Sequence, residues 1–441
     1  MSILLPSRRF MLSAPWVRND LWRRARAVPA VDFPFAATRS LTDIAGSQLA
    51  TFSRSGGQTF ANASGILEIA ASGVPAFEHD PLTGECLGVL PEENRVNLLL
   101  RSEEFDNAYW TKSGLLAFGS GSTANATTAP NGTLTADLLT ESTTSSEKTC
   151  YRTGITTTTA TLSFYIKPNG RNFAGIRFYA AGNNWVRVTF GLTGAGSASA
   201  IAAGSLSSYT GTSAVITAAA NGWYRASLSG TRVGGLGFVT CDLATSVSPS
   251  LSSTAGNEIY TGDGTSGSYL WGAQLEAGAL TSYIPSGAAS GSRSATVMDL
   301  VDTALVNGLR TFFVEFRSPA VGTRGVFSVN DNTANERAEL LTSGVDPRFI
   351  VVDNSSEQAN INGGTVSAFT RTRVAMRLQA NGFACSINGG PVSTDNTGTL
   401  PTVDRLMFGR TQAGEYLNAP LARFTGWREE LPDPALQDLA R

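Results

Sequence analysis

Hydrophobic and polar positions alternate in short runs through the middle of the chain. The runs TLSFYIKP, FAGIRFYAAG, NWVRVTFGLTG, AVITAAANGWYRASLSG and GLGFVTCDL follow one another, separated by Gly, Asn and Pro. A period of two marks a strand with one face on a core, and short strands spaced by turn residues predict an antiparallel sandwich. In NWVRVTF, Val186, Val188 and Phe190 share one face, and Trp185, Arg187 and Thr189 the other. In FAGIRFYAAG, Ile176 and Phe178 oppose Arg177 and Tyr179. Two stretches bracket these runs, residues 95–114 and 267–285, RVNLLLRSEEFDNAYWTKSG and GSYLWGAQLEAGALTSYIP. Each reads as an apolar strand flanked by polar turns, and the pair predicts the opening and closing strands of one sandwich.

The same pattern recurs over residues 296–441. RTFFVEFRSP, GVFSVND, AELLTSG, RFIVVDN, RTRVAMRLQANGFACSINGG and VDRLMFGR read as successive strands, with Asn381-Gly382 and Asn388-Gly389 as hairpin turns. Near the end, Pro432 and Asp433 open a short helix that Leu436 and Leu439 pack down. SGAASGSRSA has the composition of a flexible linker. Residues 31–93 are short apolar pieces broken by Gly, Pro and Ser, and Asp80-Pro81-Leu82-Thr83-Gly84 is a turn. This segment reads as an arm packed on the first sandwich or on a neighbouring subunit. Between Pro15 and Pro29 a short helix is predicted, with Val17, Leu21 and Ala25 on one stripe. The fold class is all-β: two tandem antiparallel β-sandwiches (jelly rolls) preceded by an extended N-terminal arm. The divisions are 1–30, 31–93, 94–287, a linker 288–295, and 296–441.

A chain of 441 residues has room for several domains without disulfide staples. Charged residues are only 15%, and the composition is rich in Gly and other turn formers, as in β-rich surface proteins. The formal charge of −2 gives no global field toward nucleic acid or anionic membrane, and no groove-reading motif is present. No run reaches the roughly 18 apolar residues of a membrane helix. The start, MSILLPSRRFML, carries its charge after a very short apolar run, opposite to an export signal. Release by lysis is the expectation. Cys86, Cys150, Cys241 and Cys385 lack zinc-like spacing and read as isolated buried thiols, with a Cys150–Cys241 bridge as the alternative.

Placed side by side, Arg177, Tyr179, Trp185 and Arg187 make an aromatic and guanidinium face. Sugar rings present C–H faces that stack on aromatic rings, while Arg forks reach hydroxyls and carboxylates. The face is therefore a candidate carbohydrate-binding site. A covering loop or a subunit interface would account for the same residues. Catalysis has few candidates. His79 is the only histidine and has no nucleophile motif beside it. There is no GxSxG, P-loop or dinucleotide fingerprint. Glu315, Glu336, Glu339 and Asp353 are carboxylates of the kind a glycosidase pairs, without an E-x-D-x-x-E-type pattern. The chain reads as non-enzymatic.

NRVNLLLRSEEFDNAYWTKSG, TTAPNGTLTADLLTE and GTSGSYLWGAQLEAGALTSYIPSG together resemble a module of bacteriophage and prophage tail-fibre, spike and related virion proteins, similar to jelly-roll carbohydrate-binding modules. Residues 75–97, PAFEHDPLTGECLGVLPEENRVN, match the arm that precedes such modules. The ending RLMFGR to LPDPALQDLA resembles concanavalin A-like, laminin G-like sandwiches. The resemblance implies a virion fibre or spike protein of a tailed phage or gene transfer agent. It would adhere to host surface polysaccharide as a homotrimer and reside on the particle. The alternatives are a virion structural protein whose sandwiches make subunit contacts, and a polysaccharide-depolymerising tailspike. The resemblance also implies docking to other virion proteins through residues 1–30, where Arg8, Arg9, Trp16, Trp22, Arg23 and Arg24 stand against Asp20 alone. Trp110, Trp223 and Trp271 would be core. Related jelly rolls hold a structural calcium ion near positions equivalent to Asn97, Glu103, Glu104, Gln274 and Glu276, whose oxygens suit Ca²⁺. Asp331-Asn332 and Asp395-Asn396 are further candidates, more often plain turns.

Overall fold

The computed structural model describes residues 21–318 and 322–441, and strand counts refer to those residues. Two antiparallel β-sandwiches account for most of the chain, as the alternation predicts. In the first, a six-stranded sheet runs Thr210–Ala218, Tyr224–Thr231, Thr159–Asn169, Gly267–Ala277, Leu134–Thr140 and Thr123–Thr128. It faces a seven-stranded sheet with Trp185–Gly191, Phe173–Tyr179, Gly237–Ala244 and Thr149–Ile155 at its centre. Ile176, Phe178, Val186, Val188 and Phe190 meet Leu162, Phe164, Ala226 and Leu228 in one buried core. Trp110 belongs to that core, while Trp223 and Trp271 are buried in a smaller cluster with Tyr165 and Tyr283.

The bracketing stretches differ from each other. Gly267–Ala277 is an eleven-residue strand at the middle of its sheet. Residues 95–114 form strand only at Arg95–Val96 and Thr111–Ser113. The rest is pinned by side chains instead of a ladder. Asn97 donates to Ala273 O and Ile284 O (both 2.9 Å) and accepts from Leu275 N (3.1 Å) and Leu99 N (3.2 Å).

The second sandwich packs the sheet around Arg371–Arg377, Thr311–Arg317 and Leu421–Trp427 on the sheet around Arg405–Phe408, Thr323–Asn330, Arg337–Ser343 and Asp346–Asp353. The helix Asp433–Ala440 buries Leu436 and Leu439, as predicted. Asn388 and Gly389 both have positive φ, the conformation of a tight hairpin.

The arm, expected against the first sandwich or a neighbour, touches the first sandwich at Leu67 but joins its strands to the second. Val31–Phe33 pairs with Leu421–Trp427, Thr51–Ser53 with Val297–Val301, and Cys86–Val89 meets Leu421. Phe33 and Phe35 lie fully buried in the second core against Phe408. Apolar pairs too short to make a core of their own have been absorbed by the nearest open sheet edge.

The linker is also held. Ser292–Arg293 pairs with Arg95–Val96, and Arg293 is 3% exposed. Its Nη1 lies 2.9 Å from Glu92 Oε2. Glu92 further accepts from Gln58 Nε2 (2.7 Å), Ser282 N (2.6 Å) and Ser282 Oγ (2.6 Å). One buried ion pair thus ties arm, first sandwich and linker together.

Removing one member of a buried pair strands the other, at a cost of about 3–5 kcal/mol. Arg293→Ala should therefore lower unfolding free energy by about 3 kcal/mol in a denaturant titration, whereas a loss below about 1 kcal/mol, the range of exposed pairs, would show that the pair is not structural.

Candidate functional site

The predicted face assembles but does not open to solvent. Arg177 lies opposite Arg187, and Tyr179 opposite Trp185, in adjacent strands. Segment 245–258 crosses over them. Trp185 Nε1 donates to Ser253 O (2.9 Å), Arg177 Nη1 to Ala255 O (2.5 Å) and Arg187 Nη1 to Gly256 O (3.2 Å). Arg177, Trp185 and Arg187 are 3%, 5% and 1% exposed. Only Tyr179 is half-buried. Gly256 has φ +67°, and a Cβ there would lie 2.3 Å from the Trp185 ring, so the segment can settle on the indole only with glycine. Gly175 leaves room beside it for the Arg187 guanidinium. Asp242 sits 3.4 Å from Arg177 Nε and 3.0 Å from Arg187 Nη1. Burial pushes its carboxyl up, but the two guanidiniums and Thr149 hold it below the ordinary value. The expected outward sugar face is corrected accordingly: alternation placed these side chains on one side of the sheet, and a Ser-rich loop supplies the carbonyls that a ligand would have supplied.

Of the docking residues, Arg8, Arg9 and Trp16 lie outside the described residues. Leu21–Ala25 is helical, and Leu21 and Ala25 pack on Trp427, Leu436 and Leu439. Trp22 is 40% exposed with Arg23 stacked on it, Cζ 5.9 Å from the ring. Arg24 is committed to the chain itself, donating to Asp438 O (2.9 Å) and Arg441 O (2.7 Å).

The positions proposed for calcium do not fit an ion. Asn97 is saturated by backbone. Glu276 accepts from Thr281 N, Thr281 Oγ1 and Gln274 Nε2 at 2.7, 2.7 and 2.8 Å. Glu103 accepts from Tyr283 OH (3.0 Å), and Glu104 pairs with Arg101. No cluster of three metal-ligating side chains occurs among the described residues. Asp331 and Asp395 each accept from the Thr two residues on, as plain turns do. His79 is buried with Nδ1 3.0 Å from Ala61 O. Glu315 is paired with Arg371 and Arg373 on one sheet, whereas Glu339 and Asp353 lie on strands of the other. Cys150 and Cys241 stand directly opposite each other as free thiols, both pushed up by burial.

The site that sequence reasoning missed is a cavity of about 290 Å³ where the two sandwiches and the arm meet. Its floor is the outer face of the six-stranded sheet. Ala226 and Leu228 face the core, so Arg225, Ser227 and Ser229 face out. Register places Ser213 beside Ser229 and Thr161, Val215 beside Ser227 and Ser163, and Thr217 beside Arg225 and Tyr165. The result is a lattice of hydroxyls with one guanidinium. Arg225 spans Tyr165, donates to Thr281 O (2.8 Å) and Ser163 Oγ (3.3 Å), and keeps a buried Nε with no acceptor.

One wall is the arm, with Phe60 and Glu78. The other is the second sandwich, with Arg317, Arg324 and Phe369. Glu78 accepts from Ala61 N (3.2 Å). Burial, with Glu92 adding, pushes its carboxyl up to about 8, against the pull of Arg225 and Arg317. The acid is therefore mostly protonated at neutral pH and can donate a hydrogen bond. Phe369 has φ +58° and is 47% exposed. A bulky residue there is an outlier costing about 1–3 kcal/mol, and such strain gathers at functional sites. Its amide donates to Ser318 O (2.8 Å), and the residue lines the cavity. Positive φ at an aromatic leaves no signal in sequence, and neither does a cavity made by three distant segments.

No family model and no curated protein matches the chain. Among solved structures, it is similar to Ruminococcus gnavus IT-sialidase CBM40 bound to alpha2,3 sialyllactose, with 16% identity over 31% of this chain and 86% of that one, at a TM-score of 0.28. It is also similar to the botulinum neurotoxin serotype D/C VPI 5993 binding domain, with 13% identity over 33% and 40% of the two chains and a TM-score of 0.26. Trypanosoma rangeli sialidase in complex with the inhibitor DANA gives 11% identity over 33% and 26%, at 0.27. Each likeness spans about a third of this chain.

Gly256→Val should lift the 245–258 segment off Trp185, read as a red-shifted and more quenchable tryptophan emission. An unchanged spectrum would mean that the glycine is not what allows closure. Glu78 gives a pH test. Its folded value of about 8 exceeds its ordinary value of 4.5, so the folded chain holds an extra proton between them. The associated stability is complete below about pH 4.5 and is lost as pH rises toward about 8. Denaturation midpoints of wild type should fall across that window relative to Glu78→Gln, and parallel curves would contradict the assignment.

Proposed function

We propose that the chain is a glycan-binding fibre or spike protein of a phage-like virion, non-catalytic, with its saccharide site in the cavity between the sandwiches. The observation that carries the reading is the strained Phe369, lining a pocket floored by hydroxyls and a guanidinium. An aromatic ring offers a stacking surface for the C–H face of a sugar ring. The floor offers donors and acceptors at sheet spacing, the small set of placed polar groups that a binding pocket needs. The virion assignment rests on the sequence resemblance in residues 94–287 and on the cationic leader. Homotrimeric display would multiply a weak single-site affinity by orders of magnitude.

A purely structural role in the particle is the second reading. Trp22 and Val28, 40% and 68% exposed, support a contact surface near that end of the described chain. The two readings separate on a surface coated with host-envelope polysaccharide. Phe369→Ala should lose about tenfold in retention, equivalent to about 1.4 kcal/mol, while its melting temperature does not fall. Retention equal to wild type, or none by wild type, would leave the structural role standing.

A further inference from the structure

Resting on that reading, we infer that the sugar bound in this cavity is acidic, its carboxylate or sulfate gripped by Arg317 and Arg225. The charge inside the cavity is unbalanced. Arg225 on the floor and Arg317 on the wall contribute two positive charges, while Arg324 beside them is paired with Glu93 at 3.3 Å. Of the two carboxylates that line it, Glu92 is neutralised by Arg293 at 2.9 Å and bonded on both oxygens. The other, Glu78, is held mostly in its protonated form by burial.

The guanidinium of Arg317 is unspent: its side chain makes no hydrogen bond or ion pair among the described residues. Arg225 Nη1 and Nη2 donate to Thr281 O and Ser163 Oγ, and its charge lines the same cavity. Arg225, Arg317 and Glu78 all line one volume. A neutral sugar would leave the positive excess uncompensated. An oxyanion accepts from Arg forks in bidentate fashion.

The test is titration of the full chain with sodium glucuronate, methyl glucoside and inorganic sulfate, followed by calorimetry or thermal shift. Wild type should bind glucuronate at least tenfold more tightly than methyl glucoside. Arg317→Gln should abolish that preference, and Arg317→Lys should restore only part of it, because the charge returns without the fork. Phe369→Ala should weaken glucuronate while leaving any sulfate binding unchanged. Methyl glucoside binding equal to glucuronate, with Arg317→Gln unaffected, overturns the acidic ligand but keeps the cavity as a sugar site. Sulfate alone matching glucuronate, with Phe369→Ala indifferent, makes it a bare anion site and overturns the inference. Failure of wild type to bind either sugar overturns both the inference and the reading beneath it.

Discussion

The fold turns on one buried ion pair. Glu92 and Arg293 meet at 2.9 Å with almost no solvent contact, and neither would be tolerated there alone. Each makes further bonds. Glu92 takes Gln58 from the arm and Ser282 from the first sandwich. Arg293 reaches Ser282 Oγ (2.7 Å) and Glu93 O (3.1 Å). Next in sequence, Glu93 accepts from Asn418 Nδ2 (2.5 Å) and Arg324 Nη1 (3.3 Å), both in the second sandwich. A short run of chain therefore ties one sandwich to the other. A buried ion pair is weak evidence of stability but a reasonable device for fixing geometry, and the cavity beside it exists only while that geometry holds.

Two sandwiches joined by an unstructured linker would leave the outer face of the six-stranded sheet in water. Here the arm crosses from the second sandwich and closes one side. The strand Gln58–Ala61 pairs with Leu67–Ala70, whose Leu67 N donates to Pro130 O (2.9 Å) of the first sandwich. Hydroxyls at Ser213, Ser227 and Ser229 then line a recess where an ordinary solvated sheet face would be. The chemistry of the recess comes from side chains unremarkable by themselves, and its selectivity comes from confinement. Confinement pushes the Glu78 carboxyl above its ordinary value.

Much of the fold was legible because alternation is a local property. Val186, Val188 and Phe190 had to share a face, and they share the first core. The terminal helix was legible because a proline start and two leucines at a spacing of three define it. What was not legible is what covers each outer face. The same alternation that groups Arg177, Trp185 and Arg187 says nothing of a loop some seventy residues away in sequence. The arm misled for a related reason. Three- and four-residue strands such as Val31–Phe33 have no periodicity long enough to reveal a partner, and the sheet edge they join lies nearly four hundred residues on.

These two faces of the first sandwich explain one another. Both expose guanidinium and hydroxyl groups to a covering segment, but the coverings differ in kind. Over Arg177 and Arg187 the loop brings backbone carbonyls, and Asp242 lies beneath to balance charge. Over Arg225 the arm brings Phe60 and Glu78, an apolar ring and an acid that burial keeps protonated. The first covering supplies acceptors and fills its space. The second supplies a wall and leaves volume open. The contrast within one sandwich is therefore one of filled space against open volume.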